Sequence, residues 1–141
     1  MPNSDLQSGD VLEVGGDAYL VQSVSPDQVS GCLLWYGLRC NAEIEVKRWT
    51  EEFDEATGRW IKDWQTAATT PAWGQIVTAR LRQTDPGLLD SARYLFQLPK
   101  AVGVAVGDRI VYGGRNFMVE SVDDIAMPGV VRVQLGEDAR P

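Results

Sequence analysis

The sequence predicts an all-β fold. It reads as a small antiparallel β-barrel or sandwich built with two similar three-strand meanders, 9–37 and 107–135, and at most one short helix. Three observations carry this. Short runs of period-two alternation recur between turn signals, and helical periodicity is scarce. Gly-Gly pairs at Gly15-Gly16 and Gly113-Gly114 interrupt alternating runs, and a tight reversal needs the positive φ that glycine adopts without steric cost. Finally, Gly9–Val24 recurs as Gly107–Val122 at an offset of 98 residues with no gap.

The repeat continues past the hairpin. At the same offset Gly31 meets Gly129, Leu33 meets Val131 and Trp35 meets Val133. Each copy is therefore expected to be a hairpin, a loop holding a proline (Pro26, Pro128), a glycine and a third strand. The apolar positions keep their parity, so both copies are expected to bury the same face. That face carries Tyr19, Val21 and Trp35 in one copy, and Phe117, Val119 and Val133 in the other.

In order, residues 1–8 are a polar lead-in and the first meander follows. Cys40-Asn41 is a connector. Residues 43–65 read as a hairpin whose charged tip, Glu51–Gly58, projects into solvent. Residues 66–72 read as a loop and Trp73–Thr84 as a strand. Asp85-Pro86-Gly87 is a turn, and the one short helix is expected within 86–93. Tyr94–Leu98 is a strand stopped by Pro99, and Lys100–Val106 an extended link. The polar tail, Gly136–Pro141, is expected to fray. The whole, 1–141, is read as one compact β domain with subregions 1–42, 43–105 and 106–141.

Composition excludes several function classes. Hydrophobic residues make up 44% of the chain, enough for a core. No run of about 18 apolar residues is present, so nothing is expected to span a membrane. The start lacks the basic and apolar regions of a secretory signal. Cys32 and Cys40 suit a reducing cytoplasm and read as small core residues, outside any Cys-x-x-Cys spacing. The net charge of −7 argues against gripping nucleic acid through its phosphates, although an acidic wall can let DNA pass. The chain has no histidine, the commonest general base and metal ligand.

No catalytic motif is present: no Gly-x-Ser-x-Gly elbow, no phosphate loop and no Gly-x-Gly-x-x-Gly. Glu51-Glu52, Asp54-Glu55 and Asp123-Asp124 lack calcium-loop spacing and read as solvated charges. The reading is of a protein that is not an enzyme and takes no cofactor or metal. The five tryptophans, Trp35, Trp49, Trp60, Trp64 and Trp73, are expected mostly in the core. Trp60 and Trp64 share parity, the one pair spaced for an exposed carbohydrate-binding face.

Some motifs point to a family. Leu6-x-x-Gly9-Asp10, Val24-Ser25-Pro26-Asp27 and Gly31-Cys32-Leu33-Leu34-Trp35-Tyr36-Gly37 together resemble the closing segment of the head–tail joining protein of lambda-like phages. A second group is similar to phage head-closure (stopper) proteins. It comprises Arg48-Trp49-Thr50, Asp54-x-x-Thr57-Gly58-Arg59-Trp60, Trp64-Gln65-Thr66 and Leu98-Pro99 with Val106–Gly114. The segment that ends the joining protein begins this chain, and a second copy lies near its end.

The resemblance implies a structural virion protein of the tailed-phage neck, made in the host cytoplasm. Its role would be a ring that closes the DNA-filled head and joins it to the tail. Its expected partners are other copies of itself, a portal or adaptor protein on the head side, and a tail-terminator or tail protein on the tail side. Packaged DNA would pass without sequence-specific binding, and no membrane is involved. The alternatives are a tail or baseplate adaptor and a non-viral ligand-binding β module. The candidate subunit contact is the hairpin tip: Glu51, Glu52, Phe53, Asp54, Glu55, Thr57 and Arg59. Phe53 is an apolar group in a wet element, and it either caps its own strands or waits for a partner.

Overall fold

The computed structural model describes residues 6–141. The described residues form nine strands: β1 Val11–Val14, β2 Asp17–Pro26, β3 Leu33–Arg39, β4 Ala42–Asp54, β5 Arg59–Ile76, β6 Tyr94–Pro99, β7 Arg109–Tyr112, β8 Arg115–Met127 and β9 Val130–Glu137. One short helix, α1 Ala79–Thr84, and one 3-10 turn, Lys100–Val102, complete it. The fold is all-β, as the alternation indicates. Six strands close a barrel in the order β4-β5-β6-β9-β8-β7, and β1-β2-β3 form a separate antiparallel sheet.

The two meanders share their register as far as Ser25 and Asp123, beyond which the second copy carries an extra irregularity before Met127↔Val130. Val11 pairs with Leu20 and Arg109 with Met118; Trp35 pairs with Val24 and Val133 with Val122. A β-bulge falls between Val21 and Ser23 in one copy and between Val119 and Ser121 in the other, again 98 residues apart. The lead-in loops agree too. Gly9 N–H donates to Val21 O at 2.8 Å and Gly107 N–H to Val119 O at 2.9 Å. The Gly15-Gly16 turn has φ of 60° and 86°, and Gly113-Gly114 has 59° and 75°, the left-handed region that a two-residue hairpin turn demands.

Burial separates the copies. The second meander is built into the barrel, and Ile110, Phe117, Val119, Val131, Val133 and Leu135 line its interior with Ile44, Val46, Phe96 and Leu98. The first meander stands outside it. Val21 is buried, but Tyr19 and Trp35 are only half-buried, with their rings edge to face at 5.8 Å. Leu20, of opposite parity to Val21, is fully buried as well. The expectation of one common buried face therefore holds for the copy that the barrel encloses and fails for the copy outside it, where each face of β2 buries one residue, Leu20 and Val21.

Four other expectations are corrected. Residues 66–72 are strand: β5 runs unbroken through them, its threonines suit extended backbone, and Thr70 and Ala72 turn into the barrel. Pro71 is tolerated because β6 joins β5 only from Trp73 onward, leaving that edge without a ladder. The helix lies at 79–84 and not within 86–93, because Thr78 caps it, its hydroxyl accepting from Leu81 N–H at 3.1 Å. The link after Pro99 begins with a 3-10 turn. The tail is docked: the Asp138 side chain has no solvent exposure.

Neither cysteine is a core residue, since Cys32 is exposed and Cys40 half-buried, which pushes the Cys40 thiol up. None of the five tryptophans is fully buried either. The six-stranded lumen is filled by Phe, Leu, Ile and Val, and the indoles lie outside it.

Candidate interaction site: a projecting aromatic ribbon

Strand β4 touches β7 only through Glu45–Lys47, and β5 touches β6 only through Trp73–Ile76. Beyond Lys47 the two strands pair solely with each other, from Arg48↔Gln65 to Asp54↔Arg59. The expected long loop is thus a two-stranded ribbon with a four-residue turn, Glu55–Gly58. Asp54 closes that turn: its carboxylate accepts from Ala56 N–H and from the Thr57 hydroxyl, each at 3.0 Å. Gly58, at φ 68°, makes the exit.

The register puts Trp49 opposite Trp64 and Phe53 opposite Trp60, all on one face by parity. Trp49 and Trp64 meet edge to face at 5.3 Å, and Phe53 and Trp60 at 5.4 Å. Phe53 thus does lean on its own strand, yet it stays 52% exposed and Trp60 62%. Glu51 lies between the two aromatic pairs and accepts from the Trp49 indole N–H at 3.1 Å. Glu52, Glu55 and Arg59 are exposed, while Asp54 is half-buried in the turn. The expected tip residues are therefore gathered on one element. Parity alone linked Trp60 to Trp64; the strand pairing that adds Trp49 and Phe53 is what the sequence reading missed. Had the register been counted back from a turn at Glu55–Gly58, all four rings would have fallen on one face.

A two-stranded ribbon is marginal by itself, and this one is braced at its base. The Arg48 guanidinium makes two hydrogen bonds to the Asp108 carboxylate, at 3.1 and 2.8 Å, and a third to Gly103 O at 2.8 Å. Asp108 holds the Arg48 guanidinium above its usual pKa. On the other strand, Trp64 lies under Arg109 at 4.1 Å and Arg140 at 4.7 Å, and its indole N–H donates to Pro141 O at 3.1 Å. Asp138 ties both arginines, each at 2.8 Å. The hydrogen bonds from Arg140, and then the one from Arg109, hold its carboxyl far below the usual carboxylate range despite its burial. The acidic pair Asp123-Asp124 is also partly structural: Asp123 accepts from Ile125 and Ala126 N–H, which lowers its pKa.

Among the described residues no group of three or more His, Cys, Asp or Glu side chains is placed to hold a metal ion. None of the helices there is long and apolar enough to cross a membrane. What the ribbon offers is contact area: aromatic faces rimmed by carboxylates, the make-up of a protein interface.

No protein-family model matches the chain, and no curated protein matches it. Among solved structures it is similar to the solution structure of protein SF1141 from Shigella flexneri 2a, with a TM-score of 0.54 at 16% identity. That likeness covers 73% of this chain and 96% of the other. At this identity the two share a fold, and the comparison extends no further.

Proposed function

We propose that this chain is a structural protein of the tailed-phage neck, forming a ring of identical copies that closes the DNA-filled head and joins it to the tail. The observation that carries the reading is the braced ribbon. A projecting element with over half of Phe53 and Trp60 in water gains nothing for the monomer core, and it suits burial by a neighbour. Burying the exposed half of one such ring contributes about 1–1.5 kcal/mol from area alone. Glu51, Glu52, Asp54, Glu55, Thr57 and Arg59 form the polar rim that sets register and partner choice. One projecting element per subunit suffices for a head-to-tail ring. The motifs that resemble those of joining and head-closure proteins support a neck position for that ring, and the net charge of −7 suits a channel that DNA traverses without being held.

The test is negative-stain imaging of particles assembled without this protein. Filled heads that leak DNA and carry no tails are expected. Intact tails lacking only a tip or fibre would overturn the neck assignment in favour of a tail or baseplate adaptor. Unaltered particles would remove the virion role altogether.

A further inference from the structure

We infer that the outer edge of β3 receives the ribbon of a second copy of this chain. The duplication supports this first. Strand β9, the counterpart of β3 at an offset of 98, pairs along its outer edge with β6, from Val130↔Pro99 to Leu135↔Tyr94. Among the described residues β3 pairs with β2 alone. One copy of the module has its outer edge filled from within the chain, and the other presents the same edge unfilled.

The edge itself carries little of the usual protection. Exposed edges are blunted by short length, proline, lysine or inward-pointing charge. Strand β3 is seven residues, Leu-Leu-Trp-Tyr-Gly-Leu-Arg, with its one charge at the last position. Leu34 is 51% exposed and Tyr36 70%, so an apolar face accompanies the unpaired backbone. The opposite edge, β1, is four residues long and carries Glu13, which makes it the poorer acceptor.

The ribbon has the matching features. Its strands pair only with each other, so both of its outer edges offer backbone groups, and its aromatic face supplies apolar area. Its tip holds four carboxylates, Glu51, Glu52, Asp54 and Glu55, whereas β3 holds none; its one cation, Arg39, pairs with Asp17 at 3.1 Å and still stays 68% exposed. Addition of a strand to an open edge gives affinity through main-chain bonds and specificity through alternate side chains. Donor and acceptor are different surfaces of one chain, so the contact is head-to-tail and can close a ring.

This deepens the neck reading by naming the contact within the ring, and the two fail separately. The experiment is sedimentation of the full chain and two variants: Phe53→Ser with Trp60→Ser on the ribbon, and Leu34→Lys with Tyr36→Lys on the edge. All four positions are exposed, and an unchanged melting temperature confirms folding; Tyr36→Lys alone replaces the edge variant if the pair fails to fold. The wild-type chain should self-associate, and each variant alone should do so roughly thirtyfold more weakly or worse, the scale of an interface anchor. Mixed together, the two variants should form a 1:1 dimer, because each retains the surface that the other lacks. A wild-type chain that stays monomeric at every concentration, variants that assemble as it does, or a mixture with no dimer would each overturn the contact while leaving the particle experiment untouched. Association as described, in a protein absent from particle necks, would overturn only the neck role.

Discussion

The side-chain amide of Asn41 and the backbone of Gly74 exchange two hydrogen bonds, each 2.8 Å long. Asn41 lies in the connector between the β1–β3 sheet and the barrel, so a side chain extends the β4–β5 ladder where β4 has not yet begun. Gly74 is constrained on its other side. A Cβ there would lie 2.2 Å from the Phe96 ring, which fills the barrel beneath it.

Gly74→Ala is therefore expected to destabilise the barrel by about 1–3 kcal/mol through overpacking. Asn41→Ala should cost about 1–2 kcal/mol through the lost pair of hydrogen bonds. Urea midpoints of the two variants check both numbers. An unshifted midpoint for Gly74→Ala would mean that Phe96 does not pack against this strand.

Phe117 and Phe53 make a matched contrast. Phe117 is 1% exposed among Tyr94, Val119 and Ile110, and Phe117→Ala should cost roughly 3–5 kcal/mol. Phe53→Ser should shift the monomer's midpoint by less than about 1 kcal/mol, since half of that ring is already in water. Equal losses in chemical denaturation would show that the ribbon belongs to the core.

Asp138 supplies a pH dependence of known sign. Its folded-state pKa is depressed, so the folded chain binds that proton less readily than the unfolded chain does. The stabilisation is complete above the unfolded value near pH 4 and is lost as pH falls below it. Asp138→Asn should cost about 3–5 kcal/mol at neutral pH, because it leaves the buried Arg109 without its counter-charge. Its stability should then fall less steeply than that of the wild type below pH 4. Parallel melting curves from pH 7 to 3 decide the point.

Arg48→Ala should loosen the ribbon while leaving the barrel closed. Arg48 is partly in water but the Asp108 carboxylate it pairs with is buried, so the expected global cost is about 2–3 kcal/mol. Amide exchange should accelerate far more within 48–54 and 59–65 than in β6 and β9, which change only by the global cost. Uniform acceleration across the chain would mean that Arg48 supports the whole fold.

The amino-acid sequence by itself determined the repeated module, because alternation and glycine turns are local instructions. Gly15-Gly16 and Gly113-Gly114 reverse the chain in the same way wherever the product sits, and even the bulges at Val21 and Val119 follow. It also determined that Glu51–Arg59 projects, since a charged segment between alternating runs has nothing to pack against.

Only the tertiary structure decided which copy closes a barrel. β7 and β9 find β4 and β6, whereas β1 and β3 find no partner but β2 among the described residues, and nothing local to either copy encodes that difference. Long-range pairing likewise decided where polar groups go underground. Asp108 is buried because Arg48, 60 residues away, neutralises it, and Asp138 because Arg109 and Arg140 converge on it. It decided as well that the tryptophans stay outside. A six-stranded lumen already filled by Phe96, Phe117 and aliphatic side chains has no volume left for an indole, so burial followed available space and not residue type.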